Sequence, residues 1–244
     1  MTTLLPVLLA VAAAAAPGSP PDPAALLRDS DRARGGLEQG VSWTVEIESV
    51  EEGTTTRRTM LIRARGVDAI AEAVAPPRHK GEIVLFNDRN LWFVKPGLRR
   101  PVAVSARQRL QGEAANGDVA STNYARDYTA TIAGEEAVDG DPAWRLDLVA
   151  RRSDVTYDRI RYWVSRKRRL GLKAEFLTVN GDVFKTATFE YGNRIAAGGR
   201  TFDFVSRMTI RDAMGAGNVT VLRFASPRAE TLDPAIFNVN NVVR

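Results

Sequence analysis

Through most of its length the chain alternates apolar and polar residues with a period of two, in short runs punctuated by Gly, Asn and Asp. Successive side chains of an extended strand point to opposite faces, so each run writes one buried and one solvated face. VSWTVEIESVEE sets Trp43, Val45 and Ile47 against Thr44, Glu46 and Glu48. TRRTMLIRAR sets Met60, Ile62 and Ala64 against Leu61, Arg63 and Arg65, with Glu52 and Gly53 turning the chain in between. The same pattern predicts strands over 69–75, 82–87, 90–95, 101–105, 128–133, 143–150, 157–165, 170–180, 182–191, 200–211 and 218–226. Turn signals separate them at Asn87-Asp88, Asp139-Gly140-Asp141, Asn180-Gly181, Gly198-Gly199 and Gly215-Ala216-Gly217. About eleven or twelve short strands at near-regular spacing imply a mainly β chain, a single antiparallel and strongly curved sheet forming an open barrel or half-barrel.

Three segments depart from the alternation. DPAALLRDSDRARGG reads as an N-terminal helix, capped by Asp22, started by Pro23 and ended by Gly35 and Gly36. Residues 107–128 are rich in small polar side chains and read as a mobile loop with a short helical turn, a lid on a β scaffold. In ETLDPAIFNVNN, Asp233 and Pro234 start one helical turn whose Ile236 and Phe237 plug a sheet edge.

The opening MTTLLPVLLAVAAAAAPG carries no charged side chain and offers Ala14 and Ala16 as an A-x-A cleavage site. The expected signal peptide covers 1–16 and delivers a single domain, 17–244, to the periplasm. The apolar block is too short to span a bilayer, and no later run approaches the required length.

Residue chemistry narrows function. With no cysteine and one histidine, zinc, haem and thiol chemistry are nearly excluded. His79, in PPRHKGE, reads as a loop residue without a visible orienting carboxylate or nucleophile. There is no G-x-S-x-G, and the acidic pairs Glu51-Glu52 and Glu135-Glu136 sit at turns where neighbours point apart. No catalytic residue, metal or cofactor is expected, and the chain reads as a non-enzyme. The net charge of +5 and pI near 9.8 point to anionic partners. The run RIRYWVSRKRRLGLKAEF raises nucleic acid as one of them, but Ile160, Tyr162 and Val164 alternate with Arg159, Arg161 and Trp163. Leu170, Leu172, Ala174 and Phe176 continue on a second strand. Arg166, Lys167, Arg168 and Arg169 then form a solvated hairpin tip, and no nucleic-acid partner is expected.

One family carries this pattern. RYWVSRKRRLGLKAEFLTVNGDVFKTATFEYGN, GGRTFDFVSRMTIRDAMGAGNVTVLRFAS, LDPAIFNV and LWFVKPGLRRPVAVS together resemble the outer-membrane lipoprotein-sorting proteins, the LolA-like group. The resemblance implies a half-barrel wrapped around helices, with an apolar cavity that shields acyl chains of lipoproteins or lipids crossing the periplasm. It implies a monomer with no cofactor, and an inner-membrane transporter as a possible partner. Strand parity puts Trp43, Val45, Ile47, Met60, Ile62, Trp144, Leu146 and Leu148 on the concave face, while Trp92 and Phe93 straddle both faces of their strand. Arg99 and Arg100 are candidates for an anionic head group at the mouth. The residues alone leave open whether this face is a ligand cavity or a packed core. The alternative function is a non-catalytic docking partner of an envelope lipid transporter, engaged through a sheet edge or the basic hairpin.

Overall fold

The computed structural model describes residues 20–88, 90–120, 123–215 and 217–242, so the expected signal peptide lies outside the described residues. Helix α1 (Pro23–Arg32) starts as its sequence dictates: the Asp22 carboxylate accepts from the amides of Ala24 (3.0 Å) and Ala25 (3.2 Å), and Pro23 occupies the first turn. Its inner side buries Leu26, Leu27, Ser30 and Asp31.

A first meander follows: β1 (Val41–Glu51), β2 (Thr54–Arg65), β3 (Asp68–Ala75), β4 (Ile83–Asn87), β5 (Asn90–Val94) and β6 (Val102–Val104). A short 3₁₀ turn, Pro77–His79, lies between β3 and β4. Next come β7 (Arg109–Gln111), β8 (Ala114–Ala115), α2 (Asn116–Val119) and α3 (Tyr124–Asp127). A second meander comprises β9 (Tyr128–Val138), β10 (Asp141–Ala150), β11 (Arg159–Ser165), β12 (Gly171–Leu177) and β13 (Val183–Glu190). The hairpin β14 (Asn193–Ala197) and β15 (Arg200–Phe204), then β16 (Arg207–Asp212), β17 (Val219–Ala229) and α4 (Val239–Val242), complete the described chain.

Thirteen strands form one antiparallel sheet in the order β6-β5-β4-β3-β2-β1-β17-β16-β13-β12-β11-β10-β9. The two meanders are joined through β17, which pairs with β1 on one side and β16 on the other. Strands β6 and β9 are the edges, so the curved sheet stays open, as the alternation predicts. At Asp139-Gly140 both turn residues take positive φ (50° and 81°), the backbone that suits a two-residue hairpin loop.

Two local departures have visible causes. The run 200–211 breaks at Val205–Ser206 because those residues bond elsewhere: the Val205 amide donates to Ala33 O and the Ser206 amide to Glu190 O. In β12 the pairing steps from Trp163↔Lys173 to Val164↔Gly171, leaving Leu172 as an extra residue. The bulge turns Leu172 outward against Trp163 and Ala143, whereas simple alternation sets it beside Ala174 and Phe176.

The main core fills the concave face, where Trp43 and Phe204 meet edge-on at 5.5 Å between ring centres. A smaller core lies on the opposite face of β3 and β4, where Phe237 and Leu232 cover Ile70 and Leu85. The turn Pro234–Phe237 therefore covers a sheet face rather than an edge, held there by Asn87 Nδ2 donating to Phe237 O at 2.8 Å.

Candidate functional site

The concave face carries the alternation's inward residues. Trp43, Val45, Ile47, Met60, Ile62, Leu146 and Leu148 are each at most 1% exposed and pack in one cluster with Tyr162, Phe176 and Leu222. Trp144 is half-buried at the rim of that cluster, with the Arg166 guanidinium 4.7 Å from its ring centre. Phe93 packs on the same face, while Trp92 points the other way into the Phe237 cluster. Arg99 and Arg100 are exposed on the loop from β5 to β6, away from the buried cluster.

The face is occupied by the chain itself. Residues 107–120, which compositional reasoning makes part of a mobile polar loop, descend onto it as β7, β8 and α2 and bury Ala114, Ala115, Val119 and Ala120. The apolar contacts of this plug are made by Leu110, Ala114, Val119 and Ala120, and much of its attachment is polar. At Gly112 (φ +54°) the backbone passes so near Ser49 and Thr220 that no side chain fits. Ser49 Oγ and Thr220 Oγ1 are 3.1 Å apart, and Thr220 Oγ1 accepts from the Glu113 amide at 2.8 Å. Gln111 Nε2 donates to Ile47 O at 3.1 Å. The buried Lys185 ammonium donates to Glu113 O. Asp118 Oδ2 accepts from the Ala115 amide at 2.9 Å and from Tyr157 Oη at 2.7 Å. Burial and the Asp118 charge push the Tyr157 phenol well above its ordinary pKa, so it remains a donor. Arg107 clamps Asp158 with two bonds of 2.8 and 2.6 Å and gives a third to Val155 O.

Past the plug, α3 is tied to α1. Asp31 Oδ2 accepts from the Ala125 amide at 2.8 Å, and the buried Arg34 guanidinium lies 4.3 Å from the Phe189 ring centre and 5.3 Å from that of Tyr124. Burial outweighs the hydrogen bonds and the Arg34 charge at Asp31 and raises its carboxyl to about 7. Tyr162 Oη and Ser30 Oγ share a 2.6 Å bond beneath the helix.

These geometric features have structural relatives. A family model described as an uncharacterized protein matches residues 66–244. A LolA superfamily protein from Nitrosomonas europaea superposes with a TM-score of 0.79 at 26% identity, covering 89% of this chain and 97% of that one. The chain has the LolA-like fold. An outer membrane lipoprotein-sorting protein domain from Vibrio parahaemolyticus shares the fold at TM-score 0.76 and 20% identity, over 89% of this chain and 97% of its own. A DUF1329 family protein from Desulfovibrio piger does so at 0.74 and 18%, over 90% and 97%. No curated protein matches the sequence.

In this LolA-like chain the polar residues beneath the plug are what sequence reasoning missed. Their signal was present, since Ser49 extends the inward parity of Trp43, Val45 and Ile47, and Lys185 shares that of Ala187 and Phe189. His79 differs from expectation in one respect, because Glu82 does orient it, at 2.9 Å from Nδ1. Its other partners, Arg58 and Arg78, are guanidinium groups, and the described bonds bring no hydroxyl to it. No group of His, Asp or Glu suited to a metal occurs among the described residues. No helix among them is long and apolar enough to cross a membrane.

Proposed function

We propose that the protein is a non-catalytic periplasmic carrier that shields the acyl chains of lipoproteins or lipids on its concave face during sorting to the outer membrane. An inner-membrane transporter would act as donor. The observation that carries this reading is the plug: an apolar bowl covered by a short segment whose apolar contacts come from Leu110, Val119 and alanines and which is held in place by polar bonds. Ala114, Ala115 and Ala120 bury little apolar area, whereas an acyl chain of about fourteen methylenes gains roughly 11 kcal/mol on transfer, before ordering costs. The polar bonds of the plug have substitutes in water, which lowers the cost of exchanging plug for acyl chain. The shared fold supports the same reading: the Vibrio parahaemolyticus structure is described as a lipoprotein-sorting protein domain.

The alternative, a docking partner of an envelope transporter, is favoured by the open edge β6, whose Val102 is 48% exposed. Organic extraction of protein purified from periplasm, followed by mass spectrometry, and titration with a fluorescent fatty acid decide between the two. Co-purified lipid or saturable uptake is expected; neither would leave the docking partner as the better account. Substituting a charge into the bowl, as in Ile62→Glu, is a poor test, because Ile62 is fully buried and the change would unfold the protein under either reading.

A further inference from the structure

Lys185 is an unusual residue for this face. It is 9% exposed, on β13, at the inward position next to Ala187, and β12 sets Phe176 opposite it. A buried ammonium is costly unless oxygens surround it. Here it has Glu113 O and, at 3.5 Å, Tyr157 Oη. Asp118 is reached only through Tyr157, and Asp212, the cross-strand neighbour on β16, accepts from the Met214 amide instead. No carboxylate among the described residues forms an ion pair with Lys185, so its charge is answered by the plug's Glu113 carbonyl and by Tyr157, whose hydroxyl is 3.5 Å and ring centre 5.5 Å away.

Movement of the plug takes that carbonyl away. What stays on the sheet and the loop beside it is Lys185 with the hydroxyls of Ser49, Thr220 and Tyr157, at one end of a face otherwise lined by Ile47, Phe176, Ile210 and Leu222. A saturated chain satisfies the apolar part but puts nothing in place of the carbonyl, leaving the ammonium with no partner but Tyr157. An acyl chain ending in an anionic oxygen group satisfies both.

We infer that Lys185 is the head-group residue inside the bowl, and that the preferred cargo is an amphiphile whose acyl chain ends in a carboxylate or phosphate that replaces Glu113 O. This inference rests on the carrier reading and adds a polarity to it: anionic end toward Lys185, tail toward α1. It assigns head-group recognition to the interior rather than to the exposed Arg99 and Arg100.

The test is a set of titrations of the full mature protein with a fluorescent long-chain fatty acid, its methyl ester and a lysophospholipid bearing a terminal phosphate. The parent should bind the acid at least about tenfold more tightly than the ester, as a charge-assisted hydrogen bond provides. Comparison of acid with phosphate identifies which anion is the natural head. Lys185→Met should bind acid and ester alike, and Lys185→Arg should retain the preference. Should Lys185→Met fail to give a cooperative melt, Lys185→Gln replaces it. A parent that binds acid and ester equally, or a folded Lys185→Met that keeps the preference, overturns the inference and leaves the carrier standing. A parent that takes up none of the three overturns both.

Discussion

A Cβ atom placed on Gly112 would stand 1.7 Å from Ser49 Oγ and 2.3 Å from Thr220 Oγ1. The plug reaches its seat on the concave face only because this residue has no side chain, and its φ of +54° favours glycine as well. Gly112→Ala is therefore expected to unseat the plug. Overpacking of this kind costs about 1–3 kcal/mol, so the melting temperature should fall. The same change should raise uptake of a fluorescent acyl probe, since the closed state loses stability and the open one does not. A variant that melts lower and also binds less probe would show that the seat matters to the fold alone.

Gly171 makes room in the same way for a different neighbour. A Cβ there would lie 1.7 Å from Tyr162 Oη and 2.3 Å from its Cζ, and Tyr162 is wholly buried against Ser30 of α1. Gly171→Ala should destabilise the protein by about 1–3 kcal/mol in urea unfolding. Adding Tyr162→Phe should not rescue it, because the ring carbon remains in the way. Full recovery in the double variant would place the conflict at the hydroxyl alone.

Much of this arrangement was legible in the sequence because strand parity is a local property. Trp43, Val45, Ile47, Met60 and Ile62 alternate inward in the structure as they do in the chain, and Asp22 with Pro23 starts α1. Where parity failed, at Leu172, one inserted residue shifted the register, and no local signal separates that bulge from an ordinary strand. The plug was illegible for another reason. Residues 107–120 look like a loop because their local bonds, such as that of Asp118 to the Ala115 amide, make no regular strand or long helix, while the partners that seat them, Ser49, Tyr157, Lys185 and Thr220, come from both flanks of the chain. Whether a face is filled or open depends on such distant pairings, which alternation alone does not encode.

The basic hairpin is expected to show no specific affinity for nucleic acid. Arg166 pairs with Glu135, Arg169 with Asp29, and Arg168 with Asp141 at 3.1 Å, so three of its cations already have carboxylate partners. The ring of Trp163, which a stacking groove would present to bases, is covered by the Lys173 ammonium at 4.4 Å. Filter binding at physiological salt should show weak retention that drops steeply as salt rises. Tight binding that survives a fourfold increase in salt would assign the hairpin a role of its own.

Asp31 should leave a signature in the pH dependence of stability. Burial raises its carboxyl from 3.8 to about 7, so between these values the folded protein holds a proton that the unfolded chain releases. Its contribution to stability is therefore fully present below pH 4, declines as pH rises toward 7, and is constant above that. Glu82, Glu175 and Asp158 act in the opposite sense, because desolvation at Glu82 and Glu175 is outweighed by their basic partners, and Arg107 holds Asp158 low. Their stabilisation is lost on acidification. The raw melting curve sums both trends, but a comparison with Asp31→Asn isolates the first, because the amide keeps an oxygen for the Ala125 amide and does not titrate. The melting temperature of Asp31→Asn relative to the parent should climb from pH 4 to 7 and then level off. Because Asp31 joins α1 to α3, amide exchange of Ala125 in the parent should quicken over the same range after correction for the intrinsic rate, and in the variant it should not. Parallel melting profiles for the two proteins would mean that Asp31 meets enough water to ionise normally, and the link between α1 and α3 would then be an ordinary surface contact.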